Sequence, residues 1–141
     1  MPTRSASATW SGGLKGGTGS FSIPNGLSGA YNFGSRFQQE AGSNPEELLA
    51  AAEAACFSMA LSGALEKNGT AATRIDTTAK CTIEKVGDGF SITTMALEVR
   101  VAATGLDQSA LDKLANDTKS GCPVSKALAG NVQLSVRATL A

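Results

Sequence analysis

Three cysteines, Cys56, Cys81 and Cys122, are the residues of this 141-residue chain best suited to nucleophilic or redox chemistry. They must work without imidazole, because the sequence contains no histidine. Ser-His-Asp and Cys-His catalysis in their usual form are therefore excluded, and so are histidine-containing zinc sites. Proton transfer is left to carboxylates, thiols, amines and a single tyrosine, Tyr31. The cysteines are odd in number, widely spaced and without a C-x-x-C pair, which suggests neither a disulfide scaffold nor a thiolate zinc site. The expectation is no metal and no cofactor. The first ten residues hold no apolar signal core, so the default compartment is the reducing cytoplasm. There, a cysteine pair points more often to redox chemistry than to structure.

The surroundings of the three sulfurs differ. Cys56 ends a run, nearly all small residues, that begins at Ala50, and alone it reads as a small hydrophobe in a packed core. Cys122 lies in Ser120-Gly121-Cys122-Pro123, at or just before a first helical turn whose φ the proline pre-sets. Orphan N–H groups and the helix dipole at such a position lower a thiol's pKa and leave the sulfur accessible. For Cys122 the functional and structural readings are evenly balanced. Cys81 falls on the apolar parity of an alternating segment and reads as core.

The elements that must position these sulfurs follow from periodicity. Residues 8–33 alternate short apolar runs with Gly12-Gly13, Gly16-Gly17 and Pro24-Asn25-Gly26, the pattern of a meander of short strands. Residues 45–67 form the strongest helix signal, capped by Ser43 or Asn44, with Pro45 in the first turn and Glu46 and Glu47 where the dipole favours anions. Leu48, Ala52, Cys56 (or Ala55), Met59 and Gly63 recur along it at spacings of three and four, and Asn68-Gly69 stops it. With few polar groups on any face, this helix is expected to be buried, its small residues admitting a close neighbour. Segments 74–86 and 90–102 alternate as strands around a Gly87-Asp88-Gly89 hairpin, with a bulge expected near Thr93–Thr94 where the parity changes. An amphipathic helix over 107–119, a short helix from Cys122-Pro123 to 128–129 and a strand from Val132 to Leu140 complete an α+β domain with mostly antiparallel sheet.

Length and charge narrow the function classes. A chain of 141 residues makes one domain, residues 1–141, and buries about 70% of its unfolded surface without staples. Lys+Arg and Asp+Glu both number 12, which argues against a long-range electrostatic hold on nucleic acid or an anionic membrane. No stretch is expected to reach the roughly 20 apolar residues of a membrane span.

Two long strings carry a resemblance. Asn44-Pro45-Glu46-Glu47-Leu48-Leu49 through Glu53-Ala54-Ala55-Cys56-Phe57-Ser58-Met59-Ala60-Leu61 resembles the central helix of the OsmC/Ohr family of hydroperoxide reductases. Gly121-Cys122-Pro123-Val124-Ser125-Lys126-Ala127-Leu128 resembles that family's second-cysteine motif. Arg36-Phe37 looks like the arginine position of the OsmC branch, and Ile75-Asp76-Thr77-Thr78-Ala79 like the strand after the helix. The likeness spans essentially the whole chain.

The resemblance implies an OsmC-like fold, a mostly antiparallel sheet wrapped around a long central helix, in an intertwined homodimer with two sites at the subunit interface. Cys56 would be the peroxidatic cysteine and Cys122 the resolving one. Arg36 would hold the thiolate of Cys56, and Glu46 would orient that arginine. The implied activity is thiol-dependent reduction of organic hydroperoxides, and less efficiently of hydrogen peroxide, in oxidative and osmotic stress defence. The implied reductant is a dithiol, a lipoylated protein in the Ohr branch.

The chemistry makes its own demands. A thiolate attacks the distal oxygen of R–O–O–H, alcohol leaves, and the cysteine becomes a sulfenic acid that a second thiol condenses with. That requires a deprotonated sulfur, a cation beside it and an apolar pocket for R. With no histidine, a guanidinium must lower the thiol's pKa from about 8.5. Glu46 lies ten residues before Cys56, about 15 Å along a straight helix, so it acts through Arg36 or serves a partner's site. Glu53, three residues before Cys56, is its neighbour on the helix surface. An unpaired carboxylate there would raise the thiol's pKa, so Glu53 is expected to pair with Arg36 or a lysine, or to turn away. Arg74 and Arg137 read as solvated strand-face charges. Two rivals remain at this point: a thiol redox sensor or binding protein on the same scaffold without turnover, and an inert protein with three core cysteines.

Overall fold

The computed structural model describes residues 1–141. They form two compact units, Met1–Leu48 and Leu49–Ala141. In the first, β1 (Ser7–Ser11), β2 (Thr18–Ser22) and β3 (Ser28–Tyr31) make an antiparallel meander in the order β1-β2-β3. Trp10, Gly19 and Tyr31 are cross-strand partners. A Cβ on Gly19 would come within 2.7 Å of both flanking rings, so only glycine lets the two aromatics close over the middle strand. Their centroids are 5.6 Å apart.

A five-residue helix, α1 (Phe33–Phe37), follows directly and has no counterpart in the periodicity, which needs more residues to register. Its signal is the cap: Asn32 Oδ1 accepts from the Ser35 amide at 2.7 Å while Ser35 Oγ accepts from the Asn32 amide at 2.9 Å. Ser35 Oγ also donates to the Ser43 carbonyl at 2.8 Å, and Asn44 Nδ2 to the Ser35 carbonyl at 3.1 Å. These bonds tie α1 to the start of α2 (Pro45–Lys67), whose first turn closes this unit.

The second unit holds the rest of α2, the long hairpin β4 (Ala72–Val86) and β5 (Gly89–Ala103), helices α3 (Gln108–Gly121) and α4 (Pro123–Leu128), and β6 (Gln133–Leu140). Gly87, at φ +61°, turns the hairpin. The ladder shifts register between Thr82 and Ile83, whose partners are Thr94 and Ile92, so Thr93 is the extra residue of the expected bulge. β5 is central: β4 pairs with it antiparallel and β6 parallel. The α3–α4 crossover between β5 and β6 imposes that parallel return. The architecture is mixed α and β with antiparallel-rich sheets.

The core of this unit is Phe57, Leu61 and Leu65 of α2 against Leu97, Val99 and Val101 of β5, with Leu111 and Ala115 of α3. The buried stripe of α2 is therefore Glu53, Phe57, Leu61 and Leu65, spaced by four. This corrects the face expected from the small residues: Ala51, Ala52 and Ala55 are exposed, and Met59 is 75% exposed. Large side chains bury more apolar area per contact than alanines, so they take the core. A second correction concerns length. By length and composition α2 is long and apolar enough to cross a membrane, with a mean hydropathy of 1.6 over its best stretch. One face of it, the Phe57–Leu61–Leu65 stripe, is buried in the core with β5.

Candidate active site

The hydrogen-bonded α2 carries Cys56 at mid-length, and α4 begins immediately after Cys122, which has φ −60° and ψ 129° and is followed by Pro123. The two thiols, 66 residues apart in the chain, meet: Cys122 Sγ lies 2.7 Å from Cys56 Sγ. Their accessibility is the reverse of the sequence expectation. Cys122 is fully buried, whereas Cys56 is half-buried and the more accessible residue of the two. The helix start does supply an orphan N–H, but it points elsewhere: the Val124 amide hydrogen-bonds the Cys56 sulfur.

That amide is the one influence favouring the Cys56 thiolate. Burial, above all, pushes the thiol's pKa up; the hydrogen bond and charge of Cys122 and the Glu53 carboxylate push the same way. Within its own unit the balance of these influences therefore favours the protonated thiol of Cys56.

Glu53 corrects the expectation made for it. It is fully buried, and its partner is no cation but the Ser125 hydroxyl of α4, which donates to Oε1. Its Oε2 is buried and makes no hydrogen bond. Ser125, also fully buried, stands in the second-cysteine string but has no role assigned from the sequence. The signal was there as symmetry: Ser125 follows Cys122 by three residues and Glu53 precedes Cys56 by three.

In the other unit, Arg36 of α1 and Glu46 of α2 are in contact. Arg36 Nη2 donates to Glu46 Oε1 at 2.8 Å and Nε to the same oxygen at 3.2 Å. Glu46 is nearly buried and Arg36 about one-third exposed. The guanidinium carbon also sits 5.2 Å from the centre of the Phe37 ring. Trp10, Leu14, Tyr31, Phe33 and Phe37 line a cavity of about 230 Å³ with Arg36 on its wall. An apolar cleft with one fixed cation suits a ligand with a greasy body and a polarisable or anionic end.

The remaining polar residues fall outside both groups. Cys81 is half-buried on β4 opposite Met95, not fully in the core, because the bulge side of the hairpin is thinly covered. Arg74 pairs with Asp76 at 2.8 Å on the exposed face of β4. No group of three or more acidic or thiol side chains is arranged to hold a metal ion.

Two thiols in contact are an arrangement that can form a disulfide by oxidation and return to the dithiol by exchange. Comparison with known proteins places the chain in a family. The chain matches the family described as OsmC-like protein over residues 38–137. It is 46% identical over 129 residues to Peroxiredoxin OsmC of Escherichia coli K12, covering 90% of each chain. It is 31% identical over 96 residues to the organic hydroperoxide resistance protein of Xanthomonas axonopodis pv. citri, covering 67% of this chain and 66% of that one. The crystal structure of the organic hydroperoxide resistance protein OhrB of Bacillus subtilis superposes with a TM-score of 0.70 at 26% identity, covering 96% and 98% of the two chains. The protein belongs to the OsmC-like family.

Proposed function

We propose that this protein is a thiol-dependent peroxidase that reduces organic hydroperoxides, and hydrogen peroxide less efficiently, as a cytoplasmic homodimer. The observation that carries the reading is the sulfur–sulfur contact of 2.7 Å between residues 66 positions apart. Cys56, the less buried member, attacks the distal peroxide oxygen as thiolate. The O–O bond breaks, the alkoxide takes a proton and leaves as alcohol, and Cys56 becomes a sulfenic acid. Cys122 then attacks that sulfur, hydroxide leaves as water with the Cys122 proton, and the Cys56–Cys122 disulfide forms. An external dithiol, such as a lipoylated protein, returns two electrons and two protons by exchange.

Arg36, held by Glu46, is the cation that favours the Cys56 thiolate and polarises the peroxide, and the aromatic cleft beside it receives the R group. Its charge is permanent and its planar fork can meet sulfur and oxygen together. The dimer reading rests on the exposed Ala51, Ala52, Ala55 and Met59 of α2, an apolar face that a second copy would cover. The family match, residues 38–137, crosses the boundary between the two compact units and supports one OsmC-like domain.

The test is mass spectrometry after stoichiometric cumene hydroperoxide. Cys56→Ser abolishes turnover, and Cys122→Ser stops at a sulfenic acid on Cys56. Persistent activity with Cys56 still a free thiol refutes the assignment. A single oxidation event without turnover in the presence of a dithiol would instead favour a redox sensor.

A further inference from the structure

The Glu53–Ser125 pair has no part in the reaction just described, yet it occupies fully buried space beside it. Removing a carboxylate from water is costly, and one whose second oxygen has no partner is costlier still. Its position suggests what the cost sustains. Glu53 and Cys56 are three residues apart on α2, Ser125 and Cys122 three apart across the start of α4. Glu53–Ser125 and Cys56–Cys122 are therefore neighbouring contacts that join the same two segments.

α4 needs such a tie. It has six residues, too few for a helix to hold itself in water. None of its side chains belongs to the hydrophobic core, and Ser125 is its one buried residue. Rotation by a single residue turns a helix by about 100° and would carry Cys122 away from Cys56. During turnover the thiol–thiol contact changes in nature when Cys56 becomes a sulfenic acid, whereas the carboxylate–hydroxyl bond is untouched by oxidation. We infer that the buried Glu53–Ser125 hydrogen bond is a positioning device that keeps α4 docked on α2, so that Cys122 still faces Cys56 when the disulfide must form. Glu53 and Ser125 are thus positioning residues for the resolving step, an assignment that rests on the peroxidase reading above.

The experiment is a single turnover with cumene hydroperoxide, quenched at intervals and resolved by mass spectrometry into sulfenic acid, disulfide and sulfinic acid. Ser125→Ala is expected to leave sulfenic acid formation within about threefold of the parent while slowing disulfide formation by about tenfold or more, since small misplacements of reacting groups cost that much. Sulfinic acid then accumulates at excess peroxide, a signature that mere loss of stability does not produce. Glu53→Gln keeps an acceptor for Ser125 and retains the parental resolving rate. Glu53→Met with Ser125→Ala removes the bond without stranding a buried charge, and it should fold and resolve as slowly as Ser125→Ala. Parental disulfide formation in either folded variant overturns the inference. Hydrogen exchange on Cys122→Ser supplies a peroxide-independent arm: the amides of Lys126–Leu128 should remain protected without the sulfur pair, and exchange as free as that of the Gly87–Asp88 turn would also overturn it. Failure to form any sulfenic acid would sink the peroxidase reading and leave the exchange result standing.

Discussion

Oxidising the Cys56–Cys122 pair should stabilise the native chain by an amount the geometry allows to be worked out. The bridge closes a loop of 66 residues, which in the chain-entropy treatment removes about 4 kcal/mol of denatured-state freedom at 25 °C. Engineered bridges usually fall short because the native backbone must distort to accept them. Here the sulfurs are already in contact, so little distortion opposes the gain. The assay is urea denaturation of the reduced and the peroxide-oxidised protein, with Cys81→Ala in both samples to prevent mispairing. At an m-value of about 2 kcal/mol/M the midpoint should rise by about 2 M. The same cycle makes the native disulfide about 90 mV more reducing than that of the unfolded dithiol, which glutathione redox buffers can measure. A gain below about 1 kcal/mol, or a loss, would mean that the two thiols are not poised to bond and would refute the reasoning.

Two further outcomes follow from the surroundings of Cys56. Cys122→Ala removes two of the influences that hold the Cys56 thiol's pKa up, so the variant's iodoacetamide reaction should run faster at neutral pH, with its pH–rate midpoint shifted down; an unchanged or higher midpoint contradicts this. The sign carries over to stability: a thiol with a raised pKa binds its proton more tightly when native, so the reduced protein loses stability as pH climbs above about 8.5, the unfolded thiol's value, and Cys122→Ala lessens that loss. Phe57→Ala should destabilise the protein by about 3–5 kcal/mol, because the ring is fully buried between α2 and β5 and its removal leaves a cavity; chemical denaturation measures it.

Local patterns were a good guide wherever one residue type at one spacing decides the structure. The boundaries of α2, the 87–89 hairpin, the bulge at Thr93 and the Pro123 start of α4 all follow from caps, turn residues and parity, which act within a few positions. The face of α2 was misjudged because the helix is apolar all round: when every side is acceptable to a core, the pattern of small residues does not say which side is used. The brief helix α1 escaped notice because five residues hold little more than one turn.

At the site the division is similar. The absence of histidine and the two cysteine strings pointed to thiol chemistry at Cys56 and Cys122, since chemistry depends on which functional groups exist at all, and the fold brings those two sulfurs into contact. Which cysteine is the less buried, which amide serves it, and that a buried carboxylate finds a serine instead of a cation depend on how α4 folds back onto α2. Residues 66 and 72 positions apart exert no mutual influence until packing brings them together. Burial and hydrogen bonding then set their acidity and reach, and those are properties of the folded neighbourhood that no local spacing encodes.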